Sequence, residues 1–256
     1  MTNQIAIITG ASAGLGRVFS RKVLANYPQV DEVWLIARRK ERLEELAAAF
    51  PQRVVRPLVL DLTQASSLSA LEELLAREQP TVKILINNAG FEREGLFRAM
   101  KPGAIQTIIS LNITAMTMLN RLCLPYMAAG SFEIITGSVS SFAPIPYQAV
   151  YSASKVYTRF FARAIREEER ERGVNVMLFA PGNMATEMNN PATARGTIAK
   201  LPYLDLEKET SRALAKAAAG AAIYTPLAFY KTYRVLTKLV PNAWAVKFTN
   251  LKKGQA

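Results

Sequence analysis

The chain has 256 residues, half of them apolar, enough for one α/β domain or two small ones with a substantial core, and too apolar for global disorder. A single cysteine, Cys123, excludes an intrachain disulfide and a thiolate metal cluster, and without histidine no zinc site is expected. Eight of the 32 basic residues fall in 210–256 with no acidic residue beside them; the remaining 24 against 20 acidic leave +4 of the net +12 for the rest, which argues against a nucleic-acid-binding protein.

MTNQIAIITG has no basic segment followed by a long apolar one, so no secretory leader is expected. No apolar run reaches the roughly 18 to 20 residues of a spanning helix. The cysteine usage fits a reducing cytoplasm, and a cytoplasmic protein is expected.

In chain order, apolar strand patterns occupy 5–9, 33–37, 54–60, 83–87, 132–136 and 174–180. Several are nearly continuous in apolar residues, as strands covered on both faces should be. Pro57 interrupts the third, which is expected to be the weakest. Helical patterns fill 14–27, 39–50, 64–78, 102–128 and 151–172, with a further one from about 205 to 222. This alternation predicts right-handed βαβ units and a doubly wound parallel sheet in three αβα layers. Ligands in such sheets sit beyond the carboxyl ends of the strands.

Each notable residue falls at that edge. After the first strand, ITGASAGLGR places Gly10, Gly14 and Gly16 around Ser12 and Leu15 at the opening of a helix. Gly10 permits a tight turn, and the helix N-terminus offers free N–H groups to a pyrophosphate. After the second strand, Ala37 stands where NAD would call for a carboxylate, and Arg38 and Arg39 follow. Arginines there suit a 2′-phosphate, which favours NADP(H) over NAD(H). Asp61 follows the third strand; Asn88, Ala89 and Gly90 follow the fourth, where small residues let the chain pass close to a flat ligand.

Ser138 follows the fifth strand, and Tyr151 and Lys155 lie four apart on the next helix, so both reach one ligand. A phenol with a reference pKa of about 10 is a poor base. A nearby ammonium stabilises phenolate, and so does a positive nicotinamide ring, so a tuned tyrosine can replace the missing histidine.

Together these elements resemble the short-chain dehydrogenase/reductase family over residues 3 to about 186. The resemblance rests on TGASAGLG, Asp61, NNAG, Asn112 in SLNITA, Ser138, YSASK and PGNMAT. It implies a Rossmann-type fold and a catalytic tetrad of Asn112, Ser138, Tyr151 and Lys155. Tyr151 would be the general acid in carbonyl reduction, and Ser138 would orient the carbonyl. Lys155 would bind the nicotinamide ribose and lower the tyrosine pKa. Asn112, by distorting its helix, would hold a water linking Lys155 to a proton relay. The resemblance puts Asp61 on adenine, Asn88 near the adenosine ribose, and Pro181, Gly182 and Thr186 along the nicotinamide. Asn183 departs from the apolar residue often found after PG, and 187–225 is expected to form a lid over the substrate.

Residues 226–256 form a basic C-terminal helical extension beyond a domain of 1–225. Phe229, Tyr233, Leu236 and Val240 line one helical stripe, with Lys231, Arg234 and Lys238 largely on another; Trp244 and Phe248 repeat an apolar pair after Pro241. Such a segment can pack within the molecule, against a second subunit, or peripherally on an anionic membrane. The reading is an NADP(H)-dependent oxidoreductase of a lipophilic ketone or aldehyde and its alcohol, acting as a homodimer or homotetramer. A non-catalytic cofactor-binding or membrane-surface scaffold is the rival; an intact tetrad argues against it.

Overall fold

The computed structural model describes residues 3–187, 189 and 201–250. Its seven strands are β1 (Gln4–Thr9), β2 (Glu32–Ala37), β3 (Val54–Val59), β4 (Thr81–Asn87), β5 (Phe132–Thr136), β6 (Asn175–Phe179) and β7 (Ile223–Tyr224). All pair in parallel, in the order β3-β2-β1-β4-β5-β6-β7. The expected doubly wound, Rossmann-type sheet is therefore present. Its order reverses between β1 and β4, which opens a crevice at their carboxyl ends.

Helices α1 (Gly14–Asn26), α2 (Lys40–Ala48) and α7 (Leu206–Ala218) cover one face. Phe19, Val23, Leu43 and Leu214 pack there against Ile8, Val33, Leu35 and Phe179. On the other face lie α3 (Ala65–Glu78), α4 (Pro102–Ile109), α5 (Met116–Cys123) and α6 (Ala149–Glu168). Leu71, Leu75 and Leu119 meet Ile5, Ile7 and Leu85 there, and Ala162 and Ile165 meet Val176 and Leu178. Burial on both sides is why these strands read as unbroken apolar runs.

Three differences from expectation have local causes. The helix expected over 102–128 is broken by a π-helical segment, Ser110–Ala115, between α4 and α5. The whole rod Pro102–Tyr126 is long and apolar enough to cross a membrane, contrary to the hydropathy reading. Here it is a core helix, with Ala115, Leu119 and Cys123 buried under the sheet. The helix expected to run to 222 stops at Ala218; Gly220 turns the chain at φ +80°, and Ile223 and Tyr224 add β7 beside Leu178 and Phe179. Pro57 does sit in an edge strand, where its missing N–H is tolerated.

Beyond β7 come α8 (Ala228–Leu239) and α9 (Asn242–Phe248), separated by Pro241. The anchor of α8 is Tyr230, 1% exposed, whose ring lies on Gly182: a Cβ there would sit 2.0 Å from the ring Cζ. Its hydroxyl donates to Pro202 O at 2.7 Å and accepts from Asn183 N at 3.2 Å. The expected apolar stripe is split: Phe229 and Leu236 are each more than half exposed, while Tyr233 packs inward against Phe142. Of the expected lid over 187–225, residues 188 and 190–200 lie outside the described residues.

Candidate active site

The glycine turn after β1 is shaped by close approach. Gly10 and Gly14 adopt left-handed backbone at φ +68° and +48°, a conformation glycine takes without steric cost. A Cβ on Gly16 would lie 2.2 Å from Gly10 O, and one on Gly14 would lie 3.2 Å from Thr186 Cγ2. The turn thus meets the segment after β6, bringing Gly14 and Thr186 together. Leu15 is buried beneath it. No side chain caps the N-terminus of α1, so its free N–H groups and dipole face the crevice as an anion site.

At the end of β2, Arg39 Nε donates to Ser12 Oγ at 3.2 Å, and its Nη1 reaches Glu187 Oε2 at 2.8 Å. Arg42 grips the other oxygen of the same carboxylate. Hydrogen bonds from Arg42 and Arg39 hold the Glu187 carboxyl down at about 2. Glu187 has no counterpart in the motifs read from sequence; it became visible only when the chain end after β6 met β2. Asp61 accepts from Thr63 N and Thr63 Oγ1 at 3.0 and 2.8 Å. Burial alone would raise its pKa, but those bonds and the charge of Arg38 lower it.

Asn88 is a stitch between strands. Its Nδ2 donates to Thr9 O at 3.2 Å, and its Oδ1 accepts from Thr136 Oγ1 at 3.3 Å. Thr9 Oγ1 in turn accepts from the N–H groups of Asn88 and Ala89. A Cβ on Gly90 would lie 3.4 Å from Asn112 Oδ1 and 3.7 Å from Lys155 Nζ, so glycine keeps that gap open. Asn112 lies in the π-helical segment, the helix distortion expected of it. Its side chain is committed to Phe91, donating to the carbonyl at 2.9 Å and accepting from the N–H at 2.8 Å. It also donates to Ser154 Oγ at 3.1 Å.

Tyr151 occupies the first turn of α6, and Lys155 the next, both buried. Lys155 Nζ donates to Thr136 O at 2.9 Å and stands 5.7 Å from the Tyr151 ring centroid. Ser138 is buried after β5, its Oγ accepting from Ser140 N at 3.1 Å. Asn112, Ser138, Tyr151 and Lys155 are therefore gathered at one end of the crevice. Pro181 joins the same edge, its carbonyl accepting from Val139 N at 2.9 Å, and Gly182 follows under Tyr230.

The electrostatics differ from the expectation that Lys155 acidifies Tyr151. Burial pushes the phenol above its ordinary range and Glu92 adds to the rise, while Ser138 pulls the other way. Burial lowers Lys155 to about 8 against the opposing charge of Glu92. The lysine cannot offset desolvation here because its ammonium is turned to a carbonyl and is itself desolvated.

Glu92, like Glu187, is a residue that sequence reasoning missed. It follows NNAG by two positions, in a loop without periodicity. Gln148, just before α6, donates to Glu92 Oε1 at 2.5 Å and to Glu94 Oε1 at 2.8 Å. Burial and the neighbouring Glu94 raise Glu92 to about 7. No group of three or more metal-ligating side chains occurs among the described residues.

A crevice with a glycine turn, an uncapped helix N-terminus and a buried Ser–Tyr–Lys group defines a dinucleotide-dependent oxidoreductase. The family model for short chain dehydrogenases matches residues 4–196, and the chain belongs to that family. It is 31% identical to nodulation protein G of Rhizobium sp. (strain N33), over 88% of this chain and 93% of that one. It is 29% identical to the 3-oxoacyl-(acyl-carrier-protein) reductase FabG of Haemophilus influenzae, over 88% and 94%. Among solved structures it is similar to a short-chain dehydrogenase from Sphingobium yanoikuyae in complex with NADPH, at TM-score 0.78 and 28% identity, over 92% and 93%.

Proposed function

We propose that the chain is an NADP(H)-dependent reductase of a lipophilic ketone or aldehyde, with Tyr151 as the proton donor. The observation that carries this reading is the convergence of Ser138, Tyr151 and Lys155 beside the gap at Gly90. The residues fit a nicotinamide dinucleotide: a Cβ at Gly16 would strike Gly10 O, and α1 opens without a side-chain cap. Gly10, Ser12, Gly14, Leu15 and Gly16 would hold the pyrophosphate. Asp61 would take the adenine, and Ala89 and Gly90 would border the adenosine side. Arg38 and Arg39 would take a 2′-phosphate, and a carboxylate already rests on Arg39.

The cofactor, when bound, supplies the hydride. The chain supplies the rest: Ser138 orients the carbonyl, Tyr151 gives its hydroxyl proton to the oxygen, and Lys155 holds the ribose. Asn112, in the π-helical segment, would hold a water that links Lys155 to a proton relay. Pro181, Gly182 and Thr186 would flank the nicotinamide. The NADPH complex of the Sphingobium yanoikuyae relative and the 3-oxoacyl substrate in the name of the Haemophilus relative support the cofactor and the lipophilic class.

The test is NADPH oxidation over ketones and aldehydes of increasing chain length, in wild type and Tyr151→Phe. Loss of the proton donor should lower kcat about 10²- to 10⁴-fold, with NADPH affinity unchanged. Equal turnover by the two proteins would sink the assignment.

A further inference from the structure

The helix α8 is apolar on the wrong side. Taking Tyr230 as the docked direction and 100° per residue, the inward quadrant holds Tyr230, Tyr233, Arg234 and Thr237. The opposite, outward face carries Phe229, Val235, Leu236 and Leu239, between 52% and 75% exposed. On α9, Trp244 and Phe248 form an i, i+4 pair at 64% and 79% exposure. Six large apolar side chains thus stand in water on two consecutive helices, where a free surface helix would carry charge.

The charged side chains on these two helices are all basic. Lys231 and Lys238 project from one flank of α8 and Lys247 from α9, all exposed, and no acidic residue occurs from 210 to 256. Apolar side chains bordered by lysines match the headgroup and acyl boundary of an anionic bilayer. A second copy docked by this same face would bring two basic segments together with no acidic residue in 210–256 to answer them.

The two helices are also tied to the crevice. Tyr230 seats on Gly182 after β6, and Thr249, just beyond α9, donates to Pro144 O at 2.5 Å, in the segment between Ser138 and Tyr151. We propose that the outward face of α8 and α9 docks on an anionic lipid bilayer, setting the segments that border Ser138 and Tyr151 beside it. Docking rests on the exposed surface alone. Its meaning as a delivery route for a lipophilic carbonyl rests on the function proposed above.

The full chain is sedimented with vesicles of phosphatidylcholine, with and without phosphatidylglycerol, at low and high salt. The variant Leu239→Ser/Phe248→Ser changes two exposed side chains, and its thermal melt reports that it remains folded. Wild type should sediment with the anionic vesicles and be released by salt. Trp244 emission should shift to the blue, because the other tryptophan, Trp34, is wholly buried. The variant should bind about tenfold or more weakly, having lost two apolar insertions.

The proposal is overturned by failure to bind anionic vesicles or by equal binding of the variant. It is overturned equally if sedimentation velocity shows the variant dissociating an oligomer that wild type forms through this face. These readouts use no substrate, so failure of docking and failure of the reductase assignment are distinguishable.

Discussion

Replacing Glu187 by Gln should tighten NADPH binding without affecting NADH. Glu187 is held by Arg39 and Arg42, with side-chain exposures of 54%, 43% and 40%. A 2′-phosphate on Arg39 has to displace that carboxylate. An exposed ion pair of this kind is worth ~0.2–1 kcal/mol, so removing the one on Arg39 relieves NADPH of about that much. At about 1.4 kcal/mol per tenfold, its Kd should fall roughly 1.4- to 5-fold. The carboxyl sits at about 2, below its unfolded value, so the pairs persist above the ordinary carboxylate range and weaken only as pH falls toward 2. The effect should therefore be constant from about pH 6 to 8. Isothermal titration of NADPH and NADH into wild type, Glu187→Gln and Arg39→Ala measures it. Should Glu187→Gln leave NADPH affinity unchanged while Arg39→Ala weakens it, the competing-carboxylate argument is wrong. Wild type preferring NADH would instead refute the NADP(H) assignment itself.

Other consequences are equally specific. Gly182→Ala places a methyl 2.0 Å from Tyr230 Cζ; overpacking of that kind costs ~1–3 kcal/mol, a Tm loss of about 2–12 °C by calorimetry. A fall no larger than that of Gly103→Ala, where nothing lies within 4 Å, would show that α8 is not seated there. Glu133 is wholly buried in β5, where the side chains of Asn87 and Asn120 oppose the effect of burial without forming a close hydrogen bond. Burial raises it to about 8. From the unfolded pKa of about 4.3 up to that value the folded state keeps a proton the unfolded state has lost. Stability is therefore lost as pH rises through the window, and the advantage of Glu133→Gln in urea melts should widen and then level off; a constant difference would contradict it. Glu92→Gln removes the charge that supports protonation of Lys155. The alkaline limb of the kcat/KM profile should move to lower pH, and an unmoved limb would separate Glu92 from the site.

Much of this fold was legible because its physics is local. Strands β1, β2, β4, β5 and β6 are covered by helices on both sides, so their buried residues form runs that announce themselves, while β3 at the edge is only partly buried. The glycine turn was equally readable, since Gly16 meets Gly10 O six residues away. Strand β7 was not: two residues, Ile223 and Tyr224, carry no period, and they become a strand only beside Leu178 and Phe179. In α8 apolar residues occur most of the way round, so periodicity cannot choose the docked face. Tyr230 was passed over for the neighbouring stripe. Glu92 and Glu187 were invisible for another reason. Their partners, Gln148 and Arg39, lie 56 and 148 residues away, and a carboxylate in an irregular loop reads as solvated until the partner is in place.

The reversed electrostatics of Tyr151 bear on its protonation state. Carbonyl reduction consumes a proton at the tyrosine, whereas alcohol oxidation asks the same group to start as a base. Burial and Glu92 both favour the protonated phenol, which is the form reduction requires. Lys155, lowered to about 8, keeps most of its charge at neutral pH but directs its ammonium to Thr136 O. Stabilisation of phenolate would then have to come from the positive ring of an oxidised nicotinamide. The protein's own groups therefore favour the protonated phenol, and phenolate depends on a charge that the cofactor would bring.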